Sequence, residues 1–213
     1  AGLVEFSEQE SNGEAVFKGS GMCVLCHVIG EDPDTGTDDL FTDFTYDNLG
    51  VPKNPENPFY DAVRKFNPDG EDWIDPGLGG FLATTSSLDE NDYSDCVDDN
   101  FGKHKVPTLR NVDKRPYPEF VKSYGHNGYF KSLEQIVHFY NTRDDKPTCL
   151  TNDDGSVYTA EQAIEANCWP APEVADNVNE DELGKLGLDA QEEADLVAFM
   201  KTLSDGFELP SSP

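Results

Sequence analysis

Residues 23–27 read Cys23-Val24-Leu25-Cys26-His27, and this short stretch decides how the rest of the chain is interpreted. The spacing Cys-x-x-Cys-His is the attachment signature of c-type haem. Two thiols one turn apart can bond to the two vinyl groups of haem, and the imidazole that follows can then bind the iron. We therefore predict one covalent haem c, held by Cys23 and Cys26 with His27 as the proximal iron ligand.

Two other uses of a Cys-x-x-Cys pair are a redox dithiol and half of a zinc site. A zinc site lacks its second pair, because Cys96, Cys149 and Cys168 have no such spacing between them. A thioredoxin-like dithiol needs a βαβ context, which is absent around the motif. The helix predicted just before the motif, and the glycines around it, favour haem attachment.

The charge of the chain excludes several classes of protein. Its 213 residues contain 15 Lys and Arg against 43 Asp and Glu, a formal net charge of −28. A general nucleic-acid binder needs a basic surface, and anionic membranes repel an acidic one. No apolar run approaches the roughly 20 residues of a membrane span. We expect no nucleic acid and no membrane insertion, but either a saline habitat or a redox partner protein with a basic docking patch.

Helices are predicted at both ends of the chain. A first helix runs over 8–18 and is ended by Gly19 and Gly21, and a last one runs from Ala190 to about Ser204 behind the cap Asp189. Capping boxes predict two further helices, one after Ser132 with Gln135 and one after Thr159 with Gln162. Prolines and glycines crowd residues 30–100, which predicts long ordered loops with short helical turns near 59–66.

The cysteines and the haem motif also indicate a compartment. Covalent haem c is attached outside the bacterial cytoplasm, so we expect a periplasmic or surface-exposed protein whose signal peptide has been removed. That location allows disulfides. Cys149 and Cys168 bracket an insertion and are expected to pair, which by the chain-entropy model stabilises the fold by about 3 kcal/mol. Cys96 is left over, as a buried thiol or an intermolecular contact.

Several segments in a fixed order resemble a known family. They are Lys105-Val106-Pro107-Thr108-Leu109-Arg110-Asn111-Val112, then Tyr124-Gly125-His126-Asn127-Gly128, then the helix over 132–141, and finally the helix over 189–204. Together, behind the haem motif, they resemble the bacterial di-haem cytochrome c peroxidase and MauG family, and specifically its C-terminal, high-potential haem domain.

The resemblance implies a fold and a single domain over 1–213. The fold is mainly α, with a class-I-like cytochrome c helical core and long irregular loop insertions. The core covers 8–30, 101–143 and 186–205, and the insertions cover 31–100 and 144–185.

The resemblance also implies a distal iron ligand. The family places it fourteen residues after the turn histidine, which counted from His126 gives Tyr140. Peroxidases usually have Met there and MauG-like proteins have Tyr, and a phenolate lowers the potential relative to Met. His126 is the second choice for this ligand, although the family gives it a hydrogen-bonding role near the haem edge. Arg110 could pair with a haem propionate or form a surface ion pair.

The other histidines and both methionines have simpler expected roles. His138 points off the face of the helix that carries Tyr140, and His104 replaces an apolar family residue and is expected to be structural. Met22 adjoins an attachment cysteine and cannot reach the opposite haem face, while Met200 is expected in the core.

A calcium site is a further candidate. Asp32, Asp34 and Asp38 provide oxygen donors at alternate positions, as calcium loops do. The family often holds calcium near its haem, which supports the assignment. In a chain with 43 acidic residues, however, such spacing also arises without an ion.

A single haem motif decides the expected function. The two-haem cycle of the family cannot run on one Cys-x-x-Cys-His, so we expect a monohaem electron-transfer protein with no catalytic residues, more a carrier than an enzyme. The alternative is a haem peroxidase-type enzyme or subunit of the di-haem peroxidase and MauG kind. A third possibility is a sensor that binds small diatomic ligands at a labile distal position.

Overall fold

The computed structural model describes residues 5–30, 39–85 and 92–206. In these ranges the α-helices are α1 (Glu8–Lys18), α2 (Gly77–Thr85), α3 (Leu133–Thr142), α4 (Ala160–Glu165) and α5 (Ala190–Thr202). Two short strands, β1 (Tyr46–Asp47) and β2 (His104–Lys105), pair antiparallel with Asp47 opposite His104. Short 3-10 turns lie at Cys23–Leu25, Pro58–Asp61, Gly70–Asp72, Ser94–Cys96 and Asp98–Asn100. The described part is mainly helical with few strands, as the sequence predicts.

The helices near the two ends of the chain begin at side-chain caps. Ser7 Oγ accepts a hydrogen bond from the Glu10 amide, and the Glu10 carboxylate accepts one from the Ser7 amide. Asp189 and Glu192 form the same reciprocal pair at the start of α5. Both boxes satisfy amides that have no partner within the helix. The predicted starts of both helices are confirmed, and α5 ends two residues before the predicted position.

α1 and α5 cross where α1 has no side chain. A Cβ at Gly13 would lie 1.9 Å from the Asp195 carbonyl oxygen and 2.8 Å from Cβ of Phe199. Only glycine lets two helix backbones approach so closely. Next to the crossing, the rings of Phe17 and Phe199 pack edge to face at 5.3 Å, and both are buried. The C-terminal end of α1, which leads into residues 23–27, is thereby fixed against α5.

α3 packs on α5 through both apolar and polar contacts. Leu133, Val137 and Phe139 are buried in the same core as Leu196 and Met200. On the polar side, His138 Nδ1 lies 3.0 Å from a carboxylate oxygen of Glu193, and Asn141 donates to that same oxygen at 2.6 Å. The capping box predicted for α3 is only half present. Ser132 Oγ accepts from Gln135 as expected, but the Gln135 side chain accepts from the Lys131 amide instead.

The expectation of a loop at residues 77–80 is wrong, because α2 forms there. Its glycines allow a close contact rather than breaking the helix. A Cβ at Gly79 would lie 2.7 Å from Cα of Phe101, and Gly77, with φ +56°, sits against the Lys103 carbonyl. The adjacent Leu78 amide donates to that carbonyl at 2.8 Å. Tertiary packing therefore overrides the low helix propensity of glycine here.

The cysteines outside the haem motif have two different states. Cys149 and Cys168 form the predicted disulfide, which closes the segment that contains α4. Cys96 is a free thiol in an exposed position, so the expectation of a buried thiol is wrong. The calcium candidates Asp32, Asp34 and Asp38 lie outside the described residues. Among the described helices, none combines the length and apolar character needed to cross a bilayer.

The crossing of α1 and α5 gives a first prediction. Replacing Gly13 by Ala raises intrinsic helix propensity by up to about 1 kcal/mol, but the methyl group collides with the backbone of α5. We expect Gly13→Ala to lower the free energy of unfolding by about 1–3 kcal/mol, the cost of overpacking a tight interface. Denaturant titration measures it. The neighbouring exposed Asn12→Ala should be neutral or stabilising, and a G13A protein as stable as wild type would contradict the crossing.

The polar contact between α3 and α5 gives a pH-dependent prediction. Burial alone would raise the pKa of Glu193, but hydrogen bonds from His138 and Asn141 outweigh it and lower that pKa. A carboxylate with a lowered pKa in the folded state stabilises the fold above its unfolded pKa and loses this contribution as the pH falls.

We therefore expect Glu193→Gln to cost about 1–2 kcal/mol at pH 7. The difference from wild type should shrink between about pH 5 and pH 3. Unfolding titrations at three pH values test this, with the exposed Glu119→Gln as the control. A difference that does not depend on pH would mean that the charge of Glu193 contributes nothing.

Candidate haem site

A cavity of about 530 Å³ lies beside the end of α1, between α3, α5 and the segments 104–112 and 122–126. Its volume falls within the range of cofactor sites, about 300–1,000 Å³. Helical spacing puts four residues on one face of α3, and all of them line the cavity: Leu133, Ile136, Val137 and Tyr140. α5 contributes Leu196 and Met200. Its walls are largely apolar, as the faces of a porphyrin require.

The backbone turns into this cavity at the haem motif. Gly21 and Met22 reverse the chain after α1, and Met22 has φ 54°, a left-handed conformation that is rare for residues other than glycine. A Cβ at Gly21 would lie 2.9 Å from the Val16 carbonyl oxygen. The next residues form the 3-10 turn Cys23–Leu25, so that Cys23, Cys26 and His27 all line the cavity.

The surroundings of the two thiols disfavour a redox dithiol. Burial raises the pKa of Cys23 to about 12. Burial, with the nearby carboxylates of Glu182, Asp43 and Asp47, raises the pKa of Cys26 to about 12. Thiol–disulfide catalysts instead have cysteines with a lowered pKa, because the thiolate is the reacting species. The surroundings of Cys23 and Cys26 therefore favour attachment of a group over redox exchange.

His27 has the orientation and charge of a metal ligand. Its Nδ1 lies 2.8 Å from the Phe41 carbonyl oxygen, so Nδ1 carries the proton and Nε2 carries the lone pair. Burial lowers the pKa of His27, while the carbonyls of Phe41 and Pro107 and the carboxylate of Asp43 act against this. The net effect favours a neutral imidazole, which is the form that binds iron.

Tyr140 reaches the cavity from α3 and is a neutral phenol in these surroundings. Burial raises its pKa above the usual value, and the nearby Cys23, Cys26 and Asp47 add to the shift. Arg143, one turn along the helix, acts in the opposite direction. Its guanidinium is buried and donates to the Asp144 carboxylate and the Leu49 carbonyl. Tyr140 therefore keeps its proton unless a cation binds its oxygen.

His126 lines the same cavity but is engaged by other groups. Its Nε2 lies 3.0 Å from Oε2 of Glu173, and its ring stacks on that of His104 at 3.7 Å. His104 is thus more than a structural replacement of an apolar residue, since it faces the cavity next to a second histidine. The pKa of His104 is lowered to about 4, by burial first and then by His126.

The remaining candidates occupy the rim or the helix interface. Arg110 lines the cavity, and its guanidinium donates to Asp205 at 2.8 Å. Lys105 and Lys122 lie along the same rim, where cations suit the two propionate carboxylates of haem. His138 faces Glu193 and not the cavity, as expected from its position on α3. Met200 is buried in the core, as predicted.

Sequence reasoning missed several acidic groups near the site. Glu182 and Asp47 lie beside the Cys26 thiol, and Asn179 donates to both carboxylates. Asp75 and Glu173 lie beside the two stacked histidines. These residues are far apart in the chain and belong to no local motif, so nothing in the sequence pattern singles them out among 43 acids.

Comparison with known proteins confirms the resemblance to the family, while the assignment to its C-terminal haem domain stays a prediction. No family model matches the chain. The methylamine utilization protein MauG of Paracoccus denitrificans is 31% identical over 206 residues, which cover 96% of this chain and 44% of MauG. The cytochrome-c peroxidase IdrP1 of Denitromonas iodatirespirans is 26% identical over 208 residues, covering 93% of this chain and 41% of that protein.

A crystal structure shows the same fold. That of the di-haem peroxidase BthA from Burkholderia thailandensis superposes with a TM-score of 0.61 at 25% identity, covering 95% of this chain and 44% of that one. The chain therefore spans less than half the length of the relatives it matches.

These relatives overturn the expectation of a monohaem electron carrier that is not an enzyme. Two of the three are named as peroxidases, and BthA is described as di-haem. The expectation failed because it counted haem motifs within a stretch that matches less than half of each relative. Such a count does not give the number of haems in a whole protein.

The surroundings of the thiols give a prediction for the protein before haem is attached. A pKa of about 12 lowers the thiolate fraction at pH 8 by about a thousandfold relative to an ordinary cysteine. We expect the exposed Cys96 to react with iodoacetamide at least about a hundredfold faster than Cys23 and Cys26 in folded apoprotein. Peptide mass spectrometry resolves the three sites, and unfolded protein, the control, should label them at similar rates. Faster labelling of Cys23 or Cys26 would indicate a redox dithiol.

Proposed function

Because the chain is a homologue of MauG and the di-haem cytochrome c peroxidases, we propose that it forms a haem c domain of a peroxidase-type enzyme. The proposed reaction is the reduction of hydrogen peroxide to two waters, which consumes two protons and two electrons from a reduced donor protein. In this proposal the chain carries one haem and corresponds to the C-terminal haem domain, and a second haem lies outside the stretch described here.

The observation that supports this proposal most directly is the meeting of Cys23, Cys26, His27 and Tyr140 in one largely apolar cavity. The thiols would attach haem, and Nε2 of His27 would bind the iron. Haem bound in this way takes up or gives one electron at a time, at a potential set by its axial ligands. The apolar walls exclude water, and the Phe41 carbonyl fixes the orientation of the His27 ring.

Tyr140 is the proposed distal ligand. Burial raises the pKa of its phenol, and the cation Arg143 acts in the opposite direction. An iron ion would displace the phenol proton and supply the missing positive charge. His126 is the weaker candidate because its Nε2 is already held by Glu173.

Further parts of the proposal rest on chemistry rather than on the relatives. A class-I-like core enlarged by the irregular segments would form one domain around the haem. Haem c attachment and the disulfide between Cys149 and Cys168 support a location outside the cytoplasm, in the periplasm.

The donor would be a redox protein with a basic docking patch, attracted by the net charge of −28. Calcium at Asp32, Asp34 and Asp38 also remains a proposal.

The test uses the full-length, haem-loaded protein and follows oxidation of a reduced c-type cytochrome after addition of hydrogen peroxide. We expect peroxide-dependent turnover with two cytochromes oxidised per peroxide. Tyr140→Phe should lower the rate about tenfold or more and change the optical spectrum of the haem, because it removes an axial ligand.

Tyr140→Met should raise the reduction potential of this haem. The matched control is Tyr117→Phe, since Tyr117 is exposed in a loop. Tyr117→Phe should leave the rate of peroxide turnover and the optical spectrum of the haem unchanged. Absence of turnover in fully haem-loaded protein would contradict the enzymatic function. A normal spectrum in Y140F would contradict the role of Tyr140 alone.

A further inference from the structure

Three residues from distant parts of the chain bring metal-binding atoms together beside the haem cavity. Asp75 precedes α2, His104 lies in β2, and His126 lies in the turn before α3. One nitrogen of each histidine and one carboxylate oxygen of Asp75 lie within 4.8 Å of one another. The two imidazole rings are parallel, with an interplanar angle of 6°. Neither Asp75 nor His104 has a role in the proposed haem attachment.

A buried carboxylate supports this cluster from behind. The Glu173 side chain is 1% exposed, and its Oε2 accepts hydrogen bonds from His126 Nε2 at 3.0 Å and from Asn127 at 2.9 Å. Its other oxygen, Oε1, is buried with no hydrogen-bond partner among the described residues, and so is the hydroxyl of Tyr60. An unpaired buried carboxylate oxygen is costly, and the Tyr60 hydroxyl, which lies close enough for Glu173 to act on it electrostatically, is a donor that could satisfy it.

The charges of the cluster match a dication. Asp75 and Glu173 both lie close enough to His104 to act on it electrostatically. Two carboxylates next to two imidazoles carry about two negative charges in total, which a divalent ion would neutralise. The His126 side chain is 16% exposed, which leaves a path from solvent to the cluster.

We propose that Asp75, His104 and His126 bind a divalent transition metal ion of the zinc class, in a site separate from the haem iron. Imidazole and carboxylate ligands suit such ions, and two histidines with one carboxylate form a frequent ligand set. Donation of the Nε2 proton to Glu173 leaves the lone pair of His126 on Nδ1. Carboxylate–histidine pairs of this kind orient the ligand in many metal sites, so Glu173 is a positioning residue.

Closing on an ion needs a short approach of the ligand atoms and a tilt of the two stacked rings. Ligands about 2.0–2.1 Å from zinc lie roughly 3.3 Å apart in a tetrahedron, so the widest pair of the cluster must approach by at most about 1.5 Å. The imidazole lone pairs lie in the ring planes, so His104 and His126 must also turn out of their parallel stack, which side-chain rotations can supply. The open fourth position would hold water. The inference does not depend on the proposed peroxidase activity.

Zinc binding to the haem-loaded protein tests the proposal. The protein is purified without a histidine tag and titrated with Zn²⁺ against a chromophoric chelator, in excess Mg²⁺ to saturate weak surface carboxylates. We expect one Zn²⁺ per chain. His104→Phe keeps an aromatic ring in the stack, and Asp75→Asn can still accept the hydrogen bond from the Gly77 amide. Each should weaken binding about tenfold or more by removing one ligand.

The matched control is His138→Gln. His138 also pairs with a carboxylate, Glu193, but lies outside the cluster, so this variant should bind zinc as tightly as wild type. The optical spectrum of the haem reports folding and haem content in every variant. No zinc uptake by wild type, or equal affinity in wild type, H104F and D75N, would overturn the proposal. Loss of binding in H138Q to the same extent as in H104F would overturn it as well.

Discussion

The close approach of α1 and α5 at Gly13 is the constraint on which the rest of the structure depends. Because the backbones nearly touch there, the last turn of α1 has one position relative to α5. The turn at Gly21 and Met22 follows directly, and it directs Cys23, Cys26 and His27 towards the faces of α3 and α5. α3 is in turn held to α5 by Asn141 and Glu193. The cavity thus exists because the two ends of the chain meet.

Charge is distributed unevenly over this framework. The segment 103–131 contains seven of the 15 Lys and Arg residues but only two of the 43 acidic ones, in a chain of net charge −28. Three of its cations, Lys105, Arg110 and Lys122, line the cavity. The acidic surface and the cationic rim have different consequences: the surface governs approach of a partner over long distances, while the rim can neutralise carboxylates of a bound group.

What the sequence predicts well is local. The capping residues Ser132, Thr159 and Asp189 identify the starts of α3, α4 and α5, because the cap and its helix lie within a few residues. Residues 23–27 identify one wall of the cavity because the haem motif also lies within a few consecutive residues. The sequence did not predict α2, because its glycines are explained by a close contact with Phe101, which lies more than twenty residues further along the chain. Glu173 and Asp75 were missed because only the folded chain brings them to His126.

The expected function was wrong for a different reason. The number of haem motifs was counted over these 213 residues, whereas catalysis depends on the whole protein. The chain matches a di-haem peroxidase over 95% of its own length but only 44% of that protein, so a motif count over this stretch does not decide the function. The count was correct for 213 residues, and the conclusion drawn from it about function was not.

The titratable side chains that line the cavity share one electrostatic property. Cys23, Cys26 and Tyr140 all have a raised pKa, so each stays protonated and neutral in the apolar cavity. Attachment of haem would add each S–H group across a vinyl group, sulfur bonding one carbon and hydrogen the other, and an iron ion at Tyr140 would displace the phenol proton to solvent. The raised pKa values mean that burial disfavours anions in this cavity, so a phenolate at Tyr140 would need a bound cation beside it.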